Sequence, residues 1–333
     1  MTIAVTSPAD SFPTAAEPHT SLTLGNYWAC FKGIVWREVL RFLHQTERFF
    51  SALVRPLVWL FIFAAGFRTV LGVSIIPPYE TYVLYEEYVT PGLVGMILLF
   101  NAMQSSLSMV YDRETGTMRT LLVSPFPRSF LLLSKLLGGV AVALLQVFAF
   151  LAVAYFWNIQ PPAITTLKLF TGFETPGFLQ PVISSLAEPI VYPFFQVPAV
   201  LQPVMGYITI IPALVVAGLM LGSLALFMSS VIKQLENFAG VMNFVIFPMF
   251  FASSALYPLW RIRESSPLLF EICRFNPFSY CIELIRFGFY GYVDVISLII
   301  VTACTIFFLG AAVYAYNPSK GLIGRRGGPG GSA

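Results

Sequence analysis

Long apolar runs alternate with short charged breaks along this chain, and six of the runs reach the length that a membrane crossing needs. A helix must supply about 20 mostly apolar residues to cross roughly 30 Å of hydrocarbon. The pattern predicts spans at 52–71, 90–110, 130–155, 204–229, 238–256 and 295–316. An even number of crossings leaves both termini on one side. Lys32, Arg37, Arg41, Arg48 and Arg55 lie before or at the start of the first span. Arg113, Arg119, Arg128 and Lys135 cluster around the link between the second and third, Lys233 follows the fourth, and Lys320, Arg325 and Arg326 lie in the tail. The other side holds only Arg68 and Lys168 before the last external segment. Basic residues gather on the cytoplasmic side of a membrane protein, so both termini are predicted there.

Three further segments break the crossing pattern. Residues 27–50 repeat apolar positions at helical spacing, with Trp28, Phe31, Val35, Val39, Phe42 and Phe49 on one face. Lys32, Arg37, Glu38, Arg41 and Glu47 fall largely elsewhere, which predicts an amphipathic helix in the cytoplasmic interface. Residues 160–202 carry Pro161, Pro162, Pro176, Pro181, Pro189, Pro193 and Pro198, too many breaks for a span. They are expected to form an ordered external loop. Residues 257–292 interleave short apolar pieces with Pro258, Pro267 and Pro277. This predicts short helices that enter the outer leaflet and turn back, with Arg261, Arg263, Arg274 and Arg286 paired to Glu264, Glu271 and Glu283. The organisation expected is a disordered tail at 1–26, the interfacial helix at 27–50, a membrane domain at 51–318 and a flexible tail at 319–333.

Composition narrows the class. Of the 333 residues, 57% are hydrophobic and 11% charged. Soluble domains carry about 25% charged residues, so this chain is a polytopic membrane protein, all-α in its fold class. The net charge of +3 is small and dispersed, which argues against a nucleic-acid partner. Cys30, Cys273, Cys281 and Cys304 have no metal-ligand spacing. Cys273 and Cys281 could pair outside, though packed apolar thiols are the plainer reading. No basic region followed by an apolar core marks a cleaved leader. The glycine-rich stretch 321–330 lacks the Lys-Ser/Thr ending of a phosphate loop. No catalytic or metal-ligating set is expected in the chain.

Polar residues inside the second span stand out. Asn101, Gln104, Ser105 and Ser108 fall at i, i+3, i+4 and i+7 and share one helical face. In hydrocarbon such a face must meet other helices or a wet path. Substrate-facing or dimer-facing use and simple helix–helix bonding both fit. Asn243 on the fifth span is a lone signal of the same kind.

Several pieces in a fixed order resemble the ABC-2 family of transporter permeases. Pro91-Gly92 opens a span; Asp112-Arg113-Glu114-Thr115-Gly116-Thr117-Met118, Leu121-Leu122 and Ser124-Pro125 follow it. Phe238-Ala239-Gly240, Phe247-Pro248-Met249-Phe250, 253–258 (SSALYP), Asn276-Pro277-Phe278-Ser279-Tyr280 and Glu283-Leu284-Ile285-Arg286 complete the set, covering about 36–316. The resemblance implies an exporter half of six transmembrane helices, in the inner membrane of a bacterial cell, that pairs with a second copy or with a different permease. It implies a separate cytoplasmic ATPase subunit carrying ATP and Mg, with no cofactor in this chain. Carried over, the coupling element is 112–125. Arg113, Glu114 and Arg119 would make polar contacts there, with Asp112, Thr117 and Pro125 in the same element. Met118, Leu121 and Leu122 would make apolar ones, and Gly116 would allow close approach. Asn276, Pro277, Tyr280, Glu283 and Arg286 would belong to the re-entrant helices. The 160–202 loop is longer than the family's usual connection.

Two rivals remain. An ion-coupled secondary transporter should carry acids deep in its spans, and the predicted interiors hold no Asp or Glu. A non-transport scaffold or assembly factor would need no coupling segment and should survive charge reversal at Glu114. Cargo is expected to be hydrophobic or amphipathic, in contact with membrane lipid.

Overall fold

A computed structural model describes residues 23–44, 46–67, 78–79, 83–114, 125–157, 159, 161, 168–170, 202–232 and 234–315. The two tails, most of the 160–202 loop and the 115–124 part of the coupling segment lie outside the described residues. Ten helices are described: α1 (Leu24–His44), α2 (Thr46–Phe67), α3 (Tyr85–Glu114), α4 (Arg128–Phe156), α5 (Gln202–Val231), α6 (Leu235–Phe251), α7 (Leu259–Ser265), α8 (Pro267–Phe275), α9 (Pro277–Phe289) and α10 (Val295–Ala315). Two short strands join them, β1 (Lys168–Phe170) and β2 (Tyr292–Asp294).

A helix stands at each of the six predicted spans. Among the described residues, four stretches are long and apolar enough to cross: Tyr85–Tyr111, Ser129–Phe156, Val204–Val231 and Val295–Ala315. The apolar stretches in α2 (Leu53–Ile62) and α6 (Leu235–Phe251) are shorter. At 1.5 Å per residue the 17 residues of α6 rise only about 25 Å. Its predicted span continued to 256, but helix ends at Phe251. Residues 253–256 instead form a buried turn.

Helices α3 and α5 are the core. Every residue from Tyr88 to Asn101 is buried, and α5 packs against α3, α4, α9 and α10. Gly218 and Gly222, one turn apart on α5, receive Val140 and Leu136 of α4; small residues let two membrane helices close up. Helix α10 is apolar all round yet mostly exposed, as a lipid-facing helix should be.

Helix α1 packs along α4. Glu38 and Phe42 are its buried pair, and Trp28 is exposed. Gly138 opposite leaves room for the Glu38 stem, and Arg37 and Arg41 balance its charge at 3.2 and 3.8 Å. Lys135, expected at the surface, is buried in α4. Two described pieces of the 160–202 loop touch the fold: Pro161 lies against Gly206, and 168–170 form β1. There β1 pairs in parallel with β2, Lys168 opposite Tyr292, an element that an all-α expectation omitted.

Candidate functional site

The link between α3 and α4 is entered from a fixed end. Helix α3 runs to Glu114, whose carboxylate accepts the Leu235 N–H at 2.8 Å. Leu235 opens α6, so an acid on one span caps the amino terminus of another, where free amides and the helix dipole favour negative charge. At the exit, Pro125 is exposed. Phe126 and Phe130 both meet the Tyr27 ring edge-on, at 5.1 and 5.0 Å. The start of α1 is therefore held to the point where the link enters α4. Asp112 and Arg113 lie in the last turn of α3. Gly116, Thr117, Met118, Arg119, Leu121 and Leu122 lie outside the described residues.

The polar residues of the α3 stripe share one crevice. Asn101, Gln104, Ser105 and Ser108 line one crevice of about 40 Å³ with Glu38, Arg41 and Gly139. Asn101 donates to the Gln146 side-chain oxygen on α4, a bond between helices. The Ser108 hydroxyl donates to the Ser105 carbonyl at 2.7 Å, within its own helix. A second crevice, of about 30 Å³, shares Asn101 and Gln104 and adds Arg55, Phe100 and Gln146. Gln146, Glu38 and Arg55 were missed as site residues. Arg55 is the only charge in its apolar stretch, a signal that its place beside the basic amino-terminal segment concealed. Asn243 is exposed on α6 and lines neither crevice.

The folded-back helices α7, α8 and α9 are fastened to the ends of α3 and α6. Asn276 donates through Nδ2 to the Met249 and Ala252 carbonyls at 2.7 and 2.6 Å, closing α6. Its Oδ1 accepts the Phe278 N–H at 3.0 Å and opens α9. Pro277 takes the first helical position, where its missing N–H loses nothing. Glu283 and Arg286 are buried and paired, as the sequence indicated. Arg286 also donates to the Ser254 carbonyl at 2.8 Å and lies 4.1 Å over the Tyr88 ring. Tyr85 and Tyr88 donate to the Leu256 and Ser254 carbonyls at 2.8 and 3.1 Å. Tyr280 is half-buried in α9. Arg274 pairs with Glu271 at 3.5 Å, while Arg261 and Arg263 lie over the Trp260 and Phe270 rings. Cys273 and Cys281 are both buried and free.

At the start of α10, Asp294 accepts the Ile296 N–H at 3.2 Å and the Ser297 hydroxyl. Burial pushes this carboxyl up to about 6.

Long apolar helices packed around α3 and α5, with one charged link and helices folded back beside the core, define a multi-pass membrane protein. The chain belongs to the ABC-2 type transporter family, which matches over residues 29–186 and 172–290. It is 24% identical over 270 residues to the inner membrane transport permease YadH of Escherichia coli (strain K12), covering 81% of this chain and 86% of that protein. YbhR of the same organism, named as a multidrug ABC transporter permease, is 31% identical over 136 residues, 38% of this chain and 36% of that one. The ycf38 transport permease of Cyanophora paradoxa is 27% identical over 138 residues, 40% of this chain. That match spans about 45% of the relative's length.

Proposed function

We infer that this chain is the membrane permease half of an ATP-driven exporter, moving an amphipathic substrate out of the cytoplasm of a bacterial cell through its inner membrane. In this reading α2, α3, α4, α5, α6 and α10 cross, both termini are cytoplasmic, and two copies pair around the path. A separate cytoplasmic ATPase binds ATP and Mg and docks on 112–125. The family assignment supports it, together with the names of YadH and YbhR as transport permeases.

One observation carries the coupling role. Glu114, at the mouth of the 112–125 segment, is bonded to the first amide of α6. A push on the segment would therefore reach three helices at once: α3 and α4 directly, and α6 through that bond. ATPase closure would tilt them together and switch the side on which the path is open. Substrate stimulates this cycle only if it binds the two states with different affinity.

The test is co-purification of the ATPase subunit with the full chain in nanodiscs, and ATP hydrolysis by the pair. Met118→Glu places a charge on the docking segment and leaves Glu114 itself unchanged. It should release the ATPase or uncouple hydrolysis from substrate. Retention and stimulation equal to wild type would reject the docking role.

A further inference from the structure

Arg55 is the only charged residue in the apolar stretch Leu53–Ile62, nine residues and about 14 Å along α2 from Thr46. Its guanidinium carbon lies 4.0 Å from the centre of the Phe100 ring. Among the described residues the ion pairs are Arg37–Glu38, Arg41–Glu38, Arg274–Glu271 and Arg286–Glu283, so Arg55 has no carboxylate. Gln146 on α4 lines the same crevice and is buried, and its Nε2 has no hydrogen-bond partner. Asn101 already occupies the oxygen of that amide, so the atom left over is a donor. Glu38, in the adjoining crevice, is engaged by Arg37 and Arg41. The uncompensated charge is thus positive and the spare polar atom is an N–H. Arg55 is exposed on α2, in a stretch read as facing hydrocarbon, whereas Gln146 is buried; a charge or an N–H left unmet in either setting is unfavourable.

We propose that the crevice between α2, α3 and α4 binds a negatively charged phosphate group, carried by an amphiphile's head or free. The Phe100 ring holds the guanidinium in place, and its N–H groups would donate to two phosphate oxygens. Gln146 donates to a third oxygen. Val54 and Val58 flank Arg55 along α2 and are exposed, so acyl chains of an amphiphile have an apolar surface beside the head. This deepens the exporter reading by naming the head group of its substrate class.

The experiment uses the full chain in nanodiscs of phosphatidylcholine with a minor share of phosphatidylglycerol, the retained lipid being read by native mass spectrometry. Wild type should retain phosphatidylglycerol selectively, and Arg55→Gln should lower that selectivity about tenfold, the worth of a charge-assisted bond. Arg55→Lys should be intermediate, since it keeps the charge and loses the fork. Gln146→Met, which leaves Arg55 in place, should weaken retention by a smaller factor and serves if Arg55→Gln does not fold. A second arm adds inorganic phosphate to delipidated protein. A rise in melting temperature in wild type but not in Arg55→Gln, without lipid selectivity, assigns the site to free phosphate. Neither selectivity nor a phosphate shift in wild type, or equal responses from Arg55→Gln, overturns the proposal. Co-purification of the ATPase subunit, measured on the same samples, reports on the exporter reading independently.

Discussion

Glu283 and Arg286 each lose nearly all contact with solvent, so removing one partner strands the other's charge. A stranded buried ion costs roughly 3–5 kcal/mol. Glu283→Gln and Arg286→Met should each lower the melting temperature well below wild type, while the double variant recovers more than half of the loss. Additive losses across the thermal melts would show that the two side chains do not act as a pair. Asp294 offers a contrast, because it is buried with hydrogen bonds and, among the described residues, no ion pair. Its folded pKa of about 6 lies above the ordinary value near 4, so the folded state holds the proton more tightly. The stabilisation is complete below about pH 4 and is lost as pH rises through 6. Asp294→Asn keeps an acceptor for the Ile296 N–H without the charge, and should flatten that fall in melting temperature between pH 4 and 7. A slope unchanged from wild type would exclude Asp294 as its source. Glu114 sits in the open, so truncation to Ala should cost only about 1 kcal/mol of capping, and Gln should keep most of it. Charge reversal there disturbs the cap as well as any ATPase contact, which makes Met118 the cleaner probe of docking.

At the scale of elements, close approach decides more than propensity. A methyl on Gly92 would lie 2.4 Å from the Ala255 carbonyl oxygen and 2.8 Å from its Cα, both backbone atoms that cannot swing aside. Gly92→Ala should force α3 away from the turn at 252–258, at about 1–3 kcal/mol or more. It should also disturb the carbonyls that receive Tyr85 and Tyr88. Gly240→Ala on α6 meets nothing within 4 Å and should hold or raise stability, by about 0.5–1 kcal/mol through helix propensity. Melting both variants in one detergent checks the contrast, and a Gly92 variant as stable as Gly240→Ala would refute the contact. The same locality governs what the sequence made legible. Asn276-Pro277 was readable because its reason lies within one cap, whereas Gly92 answers to the Ala255 backbone, distant in sequence. The stripe from Asn101 to Ser108 was readable because helical period alone aligns it. Gln146, the partner of Asn101, is 45 residues away in an otherwise apolar run, and no local rule pairs them. Glu38 looked solvated because the space that admits it comes from Gly138 on another helix. The β1–β2 ladder is three residues on each side, too short to show a period of two.

For the whole molecule, the open question is how many helices cross, and α6 holds the answer. Four stretches are long and apolar enough, two of them, in α4 and α5, between Pro125 and Ser265. If only those two crossed there, Pro125 and Ser265 would face the same side of the membrane. If α6 crosses as well, the number becomes odd and they face opposite sides. Helix α6 is about 5 Å short of a full hydrocarbon thickness. The buried turn at 253–256 extends it, and its Ser254 and Leu256 carbonyls accept from Tyr85, Tyr88 and Arg286. Non-helical backbone is tolerated at membrane depth only when protein satisfies it in this way. The expectation is therefore that α6 crosses with the turn completing it. Pro125 and Ser265 are both exposed and suit cysteine labelling once Cys30, Cys273, Cys281 and Cys304 have been replaced. A membrane-impermeant maleimide applied to intact cells should label Ser265→Cys, whereas Pro125→Cys should react only after the membrane is opened. Labelling of both positions from the same side would reduce the crossings to an even number between them. The folded-back helices would then lie beside the ATPase-facing link rather than across the membrane from it, and the alternating-access reading could not stand.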